Sequence, residues 1–138
     1  MNDVVDNFKL VFTHLDASNI ELIDNLYEKN VTFIDPFNEI RGLGPLRSYF
    51  DELYKNVLHC EFQFNETYIK DNSAIVIWNM LLTHKTLASA IPIEIAGSTQ
   101  IRFNNKIYFH RDYFDGGQML YERLPVIGPI IRIIKKQV

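Results

Sequence analysis

The chain has 138 residues, of which 47% are hydrophobic and 22% are charged, and its net charge at pH 7 is -3. These proportions are those of an ordinary globular protein of about one domain, so they exclude a wholly disordered chain, a collagen-like chain and a coiled coil. The small negative charge also argues against a general nucleic-acid binder, which would carry a basic excess.

Three amphipathic helices are predicted in the first part of the chain. Apolar residues recur at helical spacing over residues 4–15 and predict the first helix. Ser18 and Glu21 form a capping box, so we expect a second helix that begins at Ser18 and buries a stripe ending at Tyr27. The third helix is predicted over residues 45–57, where proline suits the first position and apolar residues follow at spacings of three or four.

The remaining elements are predicted to be strands. A short β-rich run ends at Pro36, and from Cys60 onward the apolar pattern has a period of two. Gly97 is a candidate for a bend or bulge. A helical segment and an apolar tail with a basic end are expected after Gly117. The predicted strands cover residues 32–35, 60–65, 73–82, 91–103 and 107–115.

This order of elements predicts an α+β fold with the helices packed on one face of a curved, mostly antiparallel sheet. Such a sheet leaves a cone-shaped cavity when its inward side chains do not fill it, and a cavity of this kind is the default ligand site. Aromatic residues make up 13% of the chain. That is more than a small solid core needs, and these side chains could line the cavity instead.

The single cysteine, Cys60, cannot form an intramolecular disulfide, and a reducing cytoplasm is the expected location. The first residues, MNDVVDNFKLVF, match neither a secretion signal nor a transit peptide. No stretch approaches the ~20 apolar residues of a membrane span. His14, His59 and His84 lack the spacing of metal ligands, so we expect no metal and no cofactor.

Three segments resemble the nuclear transport factor 2-like superfamily: residues 33–36 (FIDP), residues 42–50 (GLGPLRSYF) and above all residues 110–115 (HRDYFD). The similarity is greatest to its ketosteroid isomerase, limonene-epoxide hydrolase and polyketide cyclase (SnoaL-like) branch. The resemblance covers nearly the whole chain and implies one cystatin-like domain over residues 1–138, folded as a conical barrel. It also implies an apolar small-molecule ligand and a homodimer formed through the outer sheet face, with no nucleic-acid partner.

The resemblance assigns roles to individual positions. Asp35 matches the aspartate that moves a proton between carbons in ketosteroid isomerases. Their oxyanion donors have no evident counterpart, although the first-helix position falls near Val11 with His14 one turn on. Asp112 matches an aspartate of the epoxide hydrolases, but residues 77–81 lack the Arg-x-Asp pair of those enzymes, which argues against epoxide opening by their mechanism.

Alternation along the last strand places His110, Asp112 and Phe114 on one face. An imidazole and a carboxylate two residues apart can form a pair in which one ring nitrogen stays available for substrate protons. The alternative is a satisfied polar pair in the core. Asp35 is either a catalytic base or a turn former before Pro36.

Asn79 interrupts an apolar strand, so it either faces the ligand or bonds to a neighbouring side chain. Trp78 is expected in the core or at a dimer interface. The tail is expected to cover the cavity mouth or to form a dimer arm rather than to rest on a membrane. The predicted catalytic residues are Asp35, Asp112 and His110, and the predicted ligand-binding residues are Phe33, Asn79, Tyr49, Phe114 and His14.

The favoured function is that of an isomerase-like or cyclase-like enzyme. It would transfer a proton on a steroid-, terpenoid-, polyketide- or lipid-like carbonyl compound, with Asp35 as the base and the His110 and Asp112 pair as the acid or oxyanion partner. The alternatives are a non-catalytic protein that binds a hydrophobic ligand and a dimeric interaction module of the same fold.

Overall fold

The computed structural model describes residues 3–85 and 91–116. Its two helices and six strands confirm the α+β class, and no helix within these residues is long and apolar enough to cross a membrane. The predicted C-terminal helical segment and tail lie outside the described residues. In chain order the elements are α1 (Asp3–His14), a 3-10 helix (Ile20–Asn25), β1 (Tyr27–Ile34), β2 (Glu39–Arg41), α2 (Leu43–Tyr54), β3 (Val57–Lys70), β4 (Ser73–His84), β5 (Ile93–Phe103) and β6 (Ile107–Phe114).

The six strands form one curved sheet in the order β2-β1-β6-β5-β4-β3. Neighbours are antiparallel except β1 and β6, which run parallel, so the prediction of a mostly antiparallel sheet is confirmed. The sheet stays open between β2 and β3 and does not close into a barrel. The parallel pairing sets Phe33 beside His110, which brings the early and late parts of the chain together.

The core lies between the helices and the concave face of the sheet. From α1, the ring of Phe8 lies 6.2 Å from that of Phe64 and the ring of Phe12 lies 6.0 Å from that of Phe62. Phe50 of α2 is also buried, and the centre of its ring lies 6.0 Å from that of Phe12. The apolar faces of both helices therefore cover the same side of the sheet, as the sequence predicts.

The predicted second helix is wrong in type and in extent. Residues 20–25 form a 3-10 helix that has no side-chain cap, and Tyr27 already belongs to β1. The backbone N–H and the hydroxyl of Ser18 both donate to the carboxylate of Asp16. A capping box needs the Ser18 hydroxyl, which is engaged in this local turn. Such side-chain hydrogen bonds to nearby groups compete with helix formation.

Other boundaries differ from the predictions because tertiary pairing extends the strands. β1 begins at Tyr27, five residues earlier than predicted, and β3 begins at Val57 instead of Cys60. The short β2 lies within a segment that reads as a loop, and its register against β1 is set by Phe33 facing Ile40. No local sequence pattern predicts the early starts of β1 and β3 or the presence of β2.

Gly97 does not form the predicted bulge, because its pairing with both neighbouring strands continues without a shift. A Cβ at this position would lie 2.5 Å from Cη2 of Trp78 and 2.8 Å from the carbonyl oxygen of Tyr113. The missing side chain therefore makes room for the indole ring, which lies across the strand.

We expect Gly97→Ala to lower the free energy of unfolding by about 1–3 kcal/mol, because the added methyl must displace the indole or the strand. Urea unfolding followed by the fluorescence of Trp78, the one tryptophan of the chain, measures the loss. Gly44→Ala is the matched control, since no atom lies within 4 Å of its added Cβ and alanine favours the helix. An equal decrease in the free energy of unfolding of both variants would contradict the view that Gly97 makes room for the indole.

Candidate functional site

A cavity of about 470 Å³ lies between the concave face of the sheet and the helices. Half of its described lining residues are phenylalanine, tyrosine or tryptophan. Its few polar side chains include Asp35, Thr99, His110 and Asp112, which come from β5, β6 and the turn after β1. An apolar space with a small number of placed polar groups is the usual form of a small-molecule site.

Asp112 of β6 faces this cavity and is held by one of its two carboxylate oxygens. Its Oδ1 accepts hydrogen bonds from Thr99 Oγ1 at 2.6 Å and from His110 Nε2 at 2.8 Å. The indole N–H of Trp78 donates in turn to Thr99 Oγ1 at 2.9 Å. Among the described residues, the hydrogen bonds to Asp112 all end on Oδ1, so the carboxylate is held by one oxygen while its side chain is 20% exposed.

His110 is 1% exposed, and both of its ring nitrogens have partners. Burial raises the pKa of Tyr27 well above its ordinary value, and the charge of Asp112 adds to this effect, so the Tyr27 hydroxyl keeps its proton. It donates that proton to Nδ1 over 2.7 Å. The neutral tautomer with hydrogen on Nε2 then satisfies every group in the chain of bonds.

The hypothesis that His110 leaves one nitrogen for substrate protons is therefore wrong. The predicted hydrogen bond to Asp112 is present, but Tyr27, which the sequence analysis assigned to a helix, occupies the second nitrogen. His110 acts as a buried polar link that orients the carboxylate.

Asp35 forms the turn before Pro36, as one of its two predicted roles requires, and its side chain also lines the cavity. Its Oδ1 accepts the backbone N–H groups of Phe37 and Asn38, each at 2.8 Å. Its Oδ2 accepts the hydroxyl of Tyr49 of α2 at 2.6 Å. Burial and this bond raise the pKa of Tyr49 far above its usual value, so the hydroxyl remains a donor.

Phe33, Tyr49 and Phe114 line the same cavity as the two aspartates. The ring of Phe33 lies 4.6 Å from the imidazole of His110 and 5.6 Å from the ring of Tyr49. The structure thus brings together six of the eight residues predicted for the site.

The other two predicted residues lie elsewhere. Asn79 is on the opposite face of β4, where Asn65 Nδ2 donates to its side-chain oxygen at 2.6 Å. The cavity takes the alternate residues of that strand, including Trp78, because strand side chains point to opposite faces in turn. His14 is exposed at the end of α1 and its Nδ1 bonds to the carbonyl oxygen of Leu10. Asn79 therefore follows the alternative in which it bonds to a neighbouring side chain, and the prediction that Asn79 and His14 line the ligand site is wrong. Trp78 is buried in the core, one of the two positions predicted for it.

Tyr54 and Cys60 are two further polar side chains of the cavity lining. Burial raises the pKa of Cys60 to about 12, which leaves the thiol neutral and poorly reactive. Burial likewise raises the pKa of Tyr54 well above its usual value, so its hydroxyl keeps its proton.

The sequence analysis missed Tyr27, Thr99 and Tyr54 as site residues. Thr99 carried a signal, since it is a polar residue among buried isoleucines on the inward face of β5. Tyr27 carried none, because its partner is 83 residues away. Within residues 3–85 and 91–116, no group of three acidic, histidine or cysteine side chains is arranged to hold a metal ion.

A model of the SnoaL-like domain matches residues 9–110. The chain belongs to the SnoaL-like family. No curated protein matches the chain. The family match and the fold are consistent with the nuclear transport factor 2-like superfamily, which the sequence resembles.

Solved structures share the fold at low sequence identity. A protein with a ketosteroid isomerase-like fold from Catenulispora acidiphila, in complex with trimethylamine, is 14% identical, with a TM-score of 0.77 over 91% of this chain and 95% of that one. A nuclear transport factor 2-like protein of unknown function from Burkholderia pseudomallei is 10% identical, with a TM-score of 0.78 over 91% and 100%. An M. tuberculosis epoxide hydrolase of the limonene-epoxide hydrolase type is 13% identical, with a TM-score of 0.71 over 96% of both chains.

The buried tyrosines predict how this family member unfolds in alkali. The pKa values of Tyr27, Tyr49 and Tyr54 are raised in the folded chain, so folding favours their protonated forms. Their stabilising contribution is complete below pH ~10 and decreases as the pH rises above that value. We expect part of the phenolate absorbance to appear only together with loss of the far-ultraviolet circular dichroism. Ionisation of every tyrosine in the folded protein would contradict this.

Proposed function

We propose that this protein is a proton-transfer enzyme of the isomerase or cyclase type that acts on an apolar carbonyl compound bound in the cavity. The observation that carries the proposal is the state of Asp112, which lines a cavity rich in aromatic rings and whose Oδ1 is fixed by Thr99 and His110 while no described residue donates to Oδ2. A positioned carboxylate of this kind suits general base catalysis.

In the proposed reaction, Asp112 Oδ2 takes a proton from the carbon next to the carbonyl group. The electron pair of the broken C–H bond forms an enolate, and the protonated Asp112 returns the proton to another carbon of the same ligand. No oxidant, reductant or second substrate is needed. The negative charge that develops on the carbonyl oxygen requires a hydrogen-bond donor.

Tyr54 is the proposed donor. Tyr54 lines the cavity, and its hydroxyl stays protonated because burial raises its pKa. The charge of Asp112 also raises the pKa of Tyr54, as expected for two groups that share one small cavity. By contrast, the hydroxyl of Tyr49 already donates to Asp35.

Tyr27, His110 and Thr99 are proposed as positioning residues. They reach the reaction only through Oδ1 of Asp112, and His110 is almost completely buried. Asp35, the base suggested by the resemblance to ketosteroid isomerases, is the less favourable acceptor. Both of its oxygens already accept hydrogen bonds, so protonation would disrupt bonds to the turn or to Tyr49.

Deuterium exchange tests the proposal without knowledge of the natural substrate. β-Tetralone is a compact apolar ketone with exchangeable protons next to its carbonyl group, and nuclear magnetic resonance follows its exchange in D₂O. We expect the wild-type chain to accelerate exchange above the buffer rate, and Asp112→Asn to reduce the catalysed rate about 10²–10⁴-fold. Tyr54→Phe should reduce it about 10²–10³-fold.

Two further variants complete this experiment. Asp51→Asn changes an exposed aspartate of α2 outside the cavity lining and should leave the rate unchanged. Asp35→Asn should reduce the rate less than Asp112→Asn does, and the opposite order would assign the base to Asp35. Exchange at the buffer rate by wild-type protein that binds the ketone would instead favour the non-catalytic binding protein.

We also propose that the chain forms a homodimer through the convex face of the sheet. That face exposes Tyr68 of β3, Ile75 and Leu81 of the adjacent β4, and Tyr113 of β6, all on the side opposite the cavity. Apolar groups exposed together on a sheet face are typical of an interaction surface. The cytoplasmic location and the single domain over residues 1–138 stay predictions.

Sedimentation equilibrium of an Ile75 variant tests the dimer. Ile75→Glu places a charge in the middle of the convex face, and we expect a folded monomer because the charge would have to be desolvated in the interface. Leu10→Glu is the control, since Leu10 is exposed on α1 away from the sheet, and it should leave the dimer intact. A wild-type monomer at all concentrations would overturn the proposal.

A further inference from the structure

The charged side chains that line the described part of the cavity are Asp35 and Asp112, and no lysine or arginine lines it. His84, Cys60 and the tyrosines of the lining are uncharged at pH 7. Burial, with a smaller effect from Lys85, lowers the pKa of His84, and the pKa values of the cavity tyrosines and of Cys60 are raised. His110 is engaged at both ring nitrogens by Tyr27 and Asp112 and is 1% exposed. The cavity therefore presents negative charge in apolar surroundings.

Asp35 shares the cavity lining with several aromatic rings, one of which, that of Tyr49, bonds to it directly. Phe37, directly beyond the proline that follows Asp35, is 42% exposed, and its ring lies 6.1 Å from that of Phe114. Tyr49, which donates to the carboxylate, lies 5.6 Å from Phe33. The donors that reach Asp35 are all neutral groups, so its negative charge has no cationic partner among the described residues.

Aromatic rings together with a carboxylate form a favourable environment for an alkylated ammonium ion. The ring faces attract the cation, and the alkyl groups bury apolar surface that a primary ammonium lacks. An alkylated ammonium also has few N–H groups to satisfy, which suits a carboxylate whose oxygens already accept hydrogen bonds. A ligand carboxylate or phosphate would meet like charges here and lose its hydration.

We propose that the ligand of this cavity carries a substituted ammonium group, held between Asp35 and the rings of Phe37 and Tyr49. The inference rests on the proposed function, since it assumes that the apolar body of the same ligand extends toward Asp112. It divides the two carboxylates between recognition of a cation by Asp35 and proton transfer by Asp112. It also narrows the substrate class to amine-bearing compounds and excludes acids.

A pair of ligands that have the same shape but differ in charge tests the inference. Benzyltrimethylammonium is permanently cationic, and neopentylbenzene replaces its nitrogen by carbon. Quenching of Trp78, which lines the cavity, reports the binding of each. We expect the cation to bind about tenfold more tightly than its neutral counterpart, and phenylacetate to bind more weakly than either.

Two variants assign the preference to the proposed site. Asp35→Asn keeps a side-chain oxygen for the turn but removes the charge, and it should bring the two affinities to within about twofold. Phe37→Leu keeps an apolar side chain but removes the ring. It should weaken the binding of the cation several-fold and the binding of the neutral ligand only slightly. Asp51→Asn should retain the full preference.

Equal or tighter binding of neopentylbenzene to the wild-type chain would overturn the inference, as would tight binding of phenylacetate. A preference for the cation that survives Asp35→Asn would overturn the assigned site. None of these outcomes affects the exchange of β-tetralone, which depends on Asp112. Conversely, unchanged exchange in Asp112→Asn would overturn the proposed proton transfer and leave the ammonium site standing.

Discussion

The hydrogen bond between the Tyr27 hydroxyl and His110 Nδ1 is the contact on which the arrangement of the cavity depends. It joins the first strand to the last, and these are the two strands whose parallel pairing unites the early and late parts of the chain. It also fixes the tautomer of His110, which in turn places a donor on Asp112. Because burial raises the pKa of Tyr27, this donor is not lost by ionisation near neutral pH.

Two carboxylates in one apolar cavity can serve different purposes when different groups hold them. Asp112 is fixed by side chains of the sheet on one oxygen only, whereas Asp35 is bound by backbone amides of its turn and by the Tyr49 hydroxyl from a helix. The first arrangement leaves an oxygen that can exchange a proton. The second maintains a charge at a fixed place, and this contrast underlies the division of roles proposed above.

The sequence predicted correctly that His110 and Asp112 lie on one face. Side chains alternate between the two faces of any strand, so this prediction does not depend on which strands pair with it. The sequence placed Asn79 wrongly, because the inward face of β4 depends on pairing with strands that are distant in sequence. Tyr27 was assigned to a helix for a related reason, since apolar spacing near Ser18 fits a helix locally while the long-range pairing of β1 overrides it. The fold class survives such errors because it rests on the order of elements.

The position of β3 at the end of the sheet has a consequence for the behaviour of this protein in concentrated solution. A strand of 14 residues that has no neighbour on one side among the described strands offers its backbone groups to any other extended chain, which is a route to aggregation. The pairing of β3 with β4 shifts between Phe64 and Glu66, and such an irregularity bends and twists a strand. Glu61 and Glu66 add like charges along the same strand. Together these features discourage backbone pairing between the β3 edges of two molecules.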